Sequence, residues 1–182
     1  NDNAYFSQYD YHNEDRLESQ ITIERARRDA YVRASIFNFE SLRVSDINDN
    51  LPTIVLDGEY ERRFFPSAIG GEVRLSLHAH SHTRASDLDV DGPDADLVVD
   101  GRDVVRLGGK VEWLRRDTLR WGLVADTRVG ASFQVFDITQ DSTFDQNHAD
   151  LVPHAAVALR YPMVRRASNG IVQTLEPVAQ LG

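Results

Sequence analysis

Residues 119–135 read Leu119-Arg120-Trp121-Gly122-Leu123-Val124-Ala125-Asp126-Thr127-Arg128-Val129-Gly130-Ala131-Ser132-Phe133-Gln134-Val135. The odd positions are Leu119, Trp121, Leu123, Ala125, Thr127, Val129, Ala131, Phe133 and Val135. The even positions include Arg120, Asp126, Arg128, Ser132 and Gln134. A period of two belongs to a strand with unlike faces, whereas a helix would repeat every 3.6 residues. The pattern recurs upstream. Val73, Leu75, Leu77 and Ala79 share one parity, and Glu72, Arg74, Ser76, His78, His80 and His82 the other. Near the start, Leu17, Ile21 and Ile23 alternate with Glu18, Gln20, Thr22 and Glu24.

Extending this reading gives eight strands, near 17–27, 30–43, 53–62, 71–84, 103–115, 119–136, 153–162 and 171–181. The second changes parity at Phe37 and Phe39, which suggests a bulge. Pro162 suits a strand end. Pro177 falls inside the eighth strand, where proline removes a ladder donor, so a bulge or a new segment is expected there. The connections alternate in kind. One set is short and basic: Arg25–Asp29, Arg62-Arg63, Arg115-Arg116-Asp117 and Arg165–Gly170. The other is longer and acidic: Ser45–Leu51, Arg84–Asp103 and Asp137–Leu151. Strands joined alternately by short turns and long loops form an all-β, antiparallel up-and-down meander with two unlike ends. Outer-membrane β-barrels are built this way. Tyr31, Tyr60, Phe64, Phe65, Trp113, Trp121 and Tyr161 lie near the basic turns, as an aromatic girdle at one membrane interface would require.

Composition agrees with this class. The 182 residues include no run of the ~20 apolar residues needed for a membrane-spanning helix. A net charge of −9 argues against a general nucleic-acid partner. There is no cysteine, so disulfide and thiolate–metal chemistry are absent. The chain begins at Asn1 without a leader and stops inside a strand-like pattern. Residues 1–182 are therefore expected to be a fragment of a single transmembrane barrel domain.

Four motifs follow one another in a familiar order: Asp15-Arg16-Leu17-Glu18-Ser19 opening a strand, Leu51-Pro52, Arg160-Tyr161-Pro162, and Thr174-Leu175-Glu176-Pro177. In this order they resemble the C-terminal barrel domain of the LptD family of lipopolysaccharide-assembly proteins, also called organic solvent tolerance proteins. The resemblance spans essentially the whole chain, but only a central part of the family's larger barrel. It implies a barrel near the upper end of the usual strand count of about 26. It also implies delivery of lipopolysaccharide to the outer leaflet of a Gram-negative outer membrane. The implied partners are lipopolysaccharide, an LptE-type lipoprotein plug, membrane lipid and, through an N-terminal domain outside this segment, the periplasmic lipopolysaccharide bridge. It implies no enzyme and no cofactor. The lateral gate and the strands that meet the plug are not assigned to residues.

Several motifs invite chemistry. His78, His80 and His82 share a strand face at about 6.5–7 Å spacing, and two imidazoles could share a zinc. With no second ligand cluster in view, they read as polar, lumen-facing residues. Asp87-Leu88-Asp89-Val90-Asp91-Gly92 copies the first half of an EF-hand loop, but Pro93 and Val98 occupy later ligand positions, so a full EF-hand is excluded. A weak Ca²⁺ or Mg²⁺ site on Asp87, Asp89 and Asp91 stands as a hypothesis against a solvated acidic loop. Ser76, Ser81 and His80 lack a Gly-x-Ser-x-Gly elbow. No residue is therefore assigned as catalytic, cofactor-binding or metal-binding. Two rival readings remain: another barrel such as a porin or receptor, and a soluble β-sandwich binding domain with a dry core. In the barrel reading Val73, Leu75, Leu77, Leu119, Trp121, Leu123, Val157 and Leu159 face lipid. Glu72, Arg74, His78, His80, Asp126 and Arg128 face a wet lumen.

Overall fold

The structure is a computed structural model that describes residues 16–43, 46–92, 97–144, 146–168 and 170–182, with the side chains of residues 53 and 54 left aside. The described strands are β1 (Arg16–Ala26), β2 (Ala30–Ser41), β3 (Pro52–Phe64), β4 (Glu72–Arg84), β5 (Asp103–Thr118), β6 (Val124–Thr139), β7 (Asn147–Arg160), β8 (Met163–Arg166), β9 (Val172–Leu175) and β10 (Val178–Leu181). One sheet of eight strands runs β1-β2-β3-β4-β5-β6-β7-β10, and β8 pairs with β9. The meander is thus present, with each strand beside its neighbour in the chain except where β8 and β9 intervene. β1 through β7 are 11 to 16 residues long, enough for the about 9–11 residues of a membrane-crossing strand.

Alternate residues of each strand lie on opposite faces, and among the described residues the apolar side chains are left largely exposed. Among the described residues, Val99 is the single buried apolar residue. Ile21 is 69% exposed, Val105 53%, Val129 46% and Val157 44%. A soluble sandwich would bury such residues against an opposing sheet, so this arrangement removes the sandwich reading.

The chain divides into two compact units. One comprises the described residues up to Tyr60 with Leu77–Gly108 and Gln134–Asp150; the other comprises Glu61–Ser76, Gly109–Phe133 and Leu151–Gly182.

Several boundaries differ from expectation. β1 and β2 pair without interruption from Arg16↔Ser41 to Ala26↔Tyr31, so there is no bulge. Phe37 and Phe39 simply sit on the polar face, their rings stacked with centroids 6.1 Å apart. Arg62 and Arg63 lie at the end of β3, and Arg115–Asp117 lie inside β5. The true turns are residues 65–71 and 119–123. Leu119 and Trp121 are therefore turn residues, and β6 starts at Val124. The third acidic loop is short, because β6 runs to Thr139 and β7 begins at Asn147.

The expected eighth strand is broken at Pro177 into β9 and β10. The break preserves register: Arg160 faces Val178, and Met163 faces Leu175, three residues further along each strand. Between them Tyr161 N–H donates to the Pro177 carbonyl at 3.1 Å. An antiparallel pair of this kind exchanges two such bonds. The return bond needs an N–H on residue 177, which proline lacks. β7–β8 and β9–β10 thus form one hairpin with a gap in its ladder.

Candidate functional site

In the second unit, β5, β6 and β7 carry a continuous charged face. Glu112 on β5 is only 9% exposed and gathers two cations and an imidazole. Lys110 Nζ stands 2.9 Å from its Oε1, Arg128 Nε 3.9 Å, and His154 Nε2 donates to it at 3.1 Å. His154 belongs to β7 and must reach across β6 to β5. Gly130 permits this: a Cβ there would lie 2.7 Å from His154 Nε2 and 2.4 Å from the Val111 carbonyl oxygen. Further along, Arg116 pairs with Asp126 at 2.6 Å, Asp126 with Arg160 at 2.5 Å, and Arg160 with Glu176 at 3.3 Å. This chain of alternating charge crosses from β5 to the segment before β10. On β4, Arg74 donates to Glu72 at 2.9 Å. A groove is lined by Glu72, Arg74, Arg116, Asp126, Arg128 and Gln180, among others. Most of these ions are partly hydrated, so each pair adds little stability. Their collective effect is a hydrophilic wall whose charges largely cancel.

The turn before β4 is clamped to β5. Trp113 Nε1 donates to the Gly70 carbonyl at 2.9 Å, and Arg115 donates to the Ile69 carbonyl at 3.1 Å. Gly71 approaches the backbone so closely that a Cβ would lie 2.4 Å from the Leu114 carbonyl oxygen.

In the first unit, the loops are folded against one another. Ser41, fully buried, donates through N–H to Asn48 Oδ1 and through Oγ to Asp46, both at 2.7 Å. Ser86 N–H donates to the Asp49 carbonyl and Ser142 N–H to the Asp89 carbonyl, each at 2.9 Å. The buried Asp141 carboxylate accepts from the N–H groups of Thr143 and Phe144 and from Arg102 Nε. Burial alone would raise its pKa, but these three donors outweigh that and hold it below the ordinary carboxylate value. The acidic connections are thus an interlocked cap, which the bland reading of a solvated loop did not anticipate.

His80 Nε2 and His82 Nδ1 lie 3.3 Å apart, and His80 Nδ1 lies 3.5 Å from Asp57 Oδ2. His78 is exposed on the same strand. Asp87, Asp89 and Asp91 are all exposed. Among the described residues no three histidine or acidic side chains converge in a way that could hold a metal ion. The hypothetical three-aspartate site is therefore not formed. Sequence reading missed Glu112, His154, Asp141 and Asp100. A glycine flanked by strand residues, as at Gly130, was the available signal for the first two.

An antiparallel meander with a bare apolar face and a wet, charge-balanced face defines the wall of an outer-membrane β-barrel. The chain belongs to the LptD family, described as LPS transport system D, whose family model matches residues 1–182. This is a lipopolysaccharide-transport family, not an enzyme family, and the family recognised from the sequence is upheld. No curated protein and no solved structure matches the chain.

Proposed function

We propose that this chain is part of the barrel wall of the outer-membrane translocon that delivers lipopolysaccharide to the outer leaflet, as one stretch of a single transmembrane domain. The observation that carries the reading is membership of the family over the whole chain, on a sheet whose described apolar side chains are mostly exposed and available to lipid. The charged face of β4 to β7 borders a wet lumen, where an LptE-type plug and lipopolysaccharide headgroups make contact. The interlocked loops face the outside, and the turns at Arg27–Asp29, 65–71 and 119–123 lie in the periplasm, with Trp113 and Trp121 at the interface. The bridge components act through a domain outside this segment. The protein moves lipid without bond chemistry in this wall, and a Gram-negative outer membrane is its location.

The test is site-specific photocrosslinking in the full-length protein in cells. A benzophenone side chain at Arg74 or Arg128 is expected to capture lipopolysaccharide or the lipoprotein plug. One at Leu75 or Val129 is expected to capture membrane lipid and not the plug. Equal capture of the plug from both faces would reject the lumen and lipid assignment.

A further inference from the structure

We propose that the loop between β4 and β5 binds a Ca²⁺ ion on the buried carboxylate of Asp100. Asp100 is 1% exposed, and neither Oδ1 nor Oδ2 accepts a hydrogen bond. An ionised carboxylate removed from water and left without a partner is strongly unfavourable. The contrast lies in the same cap: Asp141 is equally buried, yet it is met by Arg102 and two backbone N–H groups. The fold supplies one of these carboxylates with partners and leaves the other without them.

The position of Asp100 says what would fill the gap. A Cβ on Gly92 would lie 2.1 Å from Asp100 Oδ2. The carboxylate is therefore packed against the end of the run Asp87-Leu88-Asp89-Val90-Asp91-Gly92 and aims into that acidic turn. The backbone there is fixed from both sides, by Gly101 N–H on the Leu88 carbonyl at 2.7 Å and Asp100 N–H on the Val90 carbonyl at 3.5 Å. Arg84 does not supply the missing charge by an ion pair. Its Nη1 donates to the Val99 carbonyl at 2.6 Å, and its Nε is buried without an acceptor. The donor shown is a carboxylate, a hard oxygen ligand that selects a hard cation. Ca²⁺ accepts an irregular oxygen set completed by water, whereas Mg²⁺ demands a near-octahedral one. Asp87, Asp89 and Asp91 remain exposed. They raise the local cation concentration but are not the anchoring ligands.

The experiment uses the full-length protein in detergent, stripped with chelator and titrated with CaCl₂ at neutral pH. Hydrogen exchange is followed in residues 86–101. Lipopolysaccharide carried through purification also binds Ca²⁺, so the readout is local to this loop. Wild type is expected to show a saturable slowing of exchange with a midpoint on the order of 10⁻⁴–10⁻³ M. Asp100→Asn should abolish that response. Because the variant could loosen the loop by itself, the triple replacement of Asp87, Asp89 and Asp91 by Asn serves as comparison. It should keep the saturable response, with the midpoint raised a few-fold. Two results would overturn the site: no Ca²⁺ response in wild type, or an Asp100→Asn response equal to wild type.

Discussion

Trp121 is held at φ 61, ψ 17, and is followed by Gly122 at φ 80. Two consecutive left-handed residues match a hairpin turn of type I′, a geometry that asparagine and glycine adopt far more cheaply than an aromatic residue. The indole is 87% exposed, so no contact within the protein compensates for the strain, and detergent replaces the lipid interface it would meet. Trp121→Asn should therefore stabilise the detergent-folded protein by about 1 kcal/mol, seen as a higher unfolding midpoint. A lower midpoint would mean that the indole makes a stabilising contact. Asp141 supports a prediction with the opposite logic. Its folded-state pKa is depressed, so its contribution is complete above the unfolded value of about 3.9 and disappears as pH falls through the lower folded value. Hydrogen exchange in residues 140–144 should be flat from neutral pH to about pH 5, after correction for intrinsic rates, and rise below about pH 4. Asp141→Ala should raise it at neutral pH by an opening free energy of about 2–3 kcal/mol. That is less than the about 3–5 kcal/mol of a fully buried pair, because Arg102 keeps a quarter of its surface. Neither Asp141 nor Asp100 stood out in a sequence rich in aspartate. Their burial depends on how three loops meet, and period-two patterning carries no information about that.

At the scale of the element, alternation identified the strands, and errors gathered at their ends. The turns were placed on arginine pairs, which mark the ends of β3 and β5 instead. The reliable signal was backbone chemistry: Gly70, Gly71, Gly122 and Gly170 all have positive φ, and each lies in a turn. An arginine pair is compatible with an extended backbone, so charge alone could not separate strand end from turn. Proline was more informative than its position suggested. Pro177 occupies a hydrogen-bonding site opposite Tyr161, while Pro162 sits one residue further, where no ladder bond to this neighbour is due. Pro177→Ala should therefore let residue 177 donate to Tyr161 and join β9 to β10. The expected gain is about 0.5–1.5 kcal/mol, read as slower amide exchange in residues 172–176. Pro162→Ala should have little effect there. If both replacements slow exchange equally, proline stiffness and not the missing donor explains the gap.

For the molecule as a whole, the absence of a dry apolar core decides how the chain must be stabilised. With Val99 the single buried apolar residue among those described, the usual free energy of core burial is unavailable, and transfer of the apolar sheet face into lipid takes its place. The cost of a charge on that face should then follow depth, not local packing. β6 begins at Val124, and about 9–11 strand residues cross the hydrocarbon, so Val129 lies near its middle. Leu123, which the sequence placed inside the strand, belongs to the turn and on the proposed topology lies at the interface. Val129→Arg should cost about 2–4 kcal/mol and Leu123→Arg about 0–1 kcal/mol. Arg128→Leu, on the opposite face, removes only a 3.9 Å contact to Glu112, which keeps Lys110 and His154, and should be nearly neutral. The measurement is the fraction of full-length protein reaching the heat-resistant barrel form in outer membranes. The order expected, from most to least impaired, is Val129→Arg, then Leu123→Arg, then Arg128→Leu. A soluble fold would penalise Leu123→Arg and Val129→Arg alike, according to burial. If Arg128→Leu were the most damaging of the three, the lipid and lumen faces would have to be exchanged.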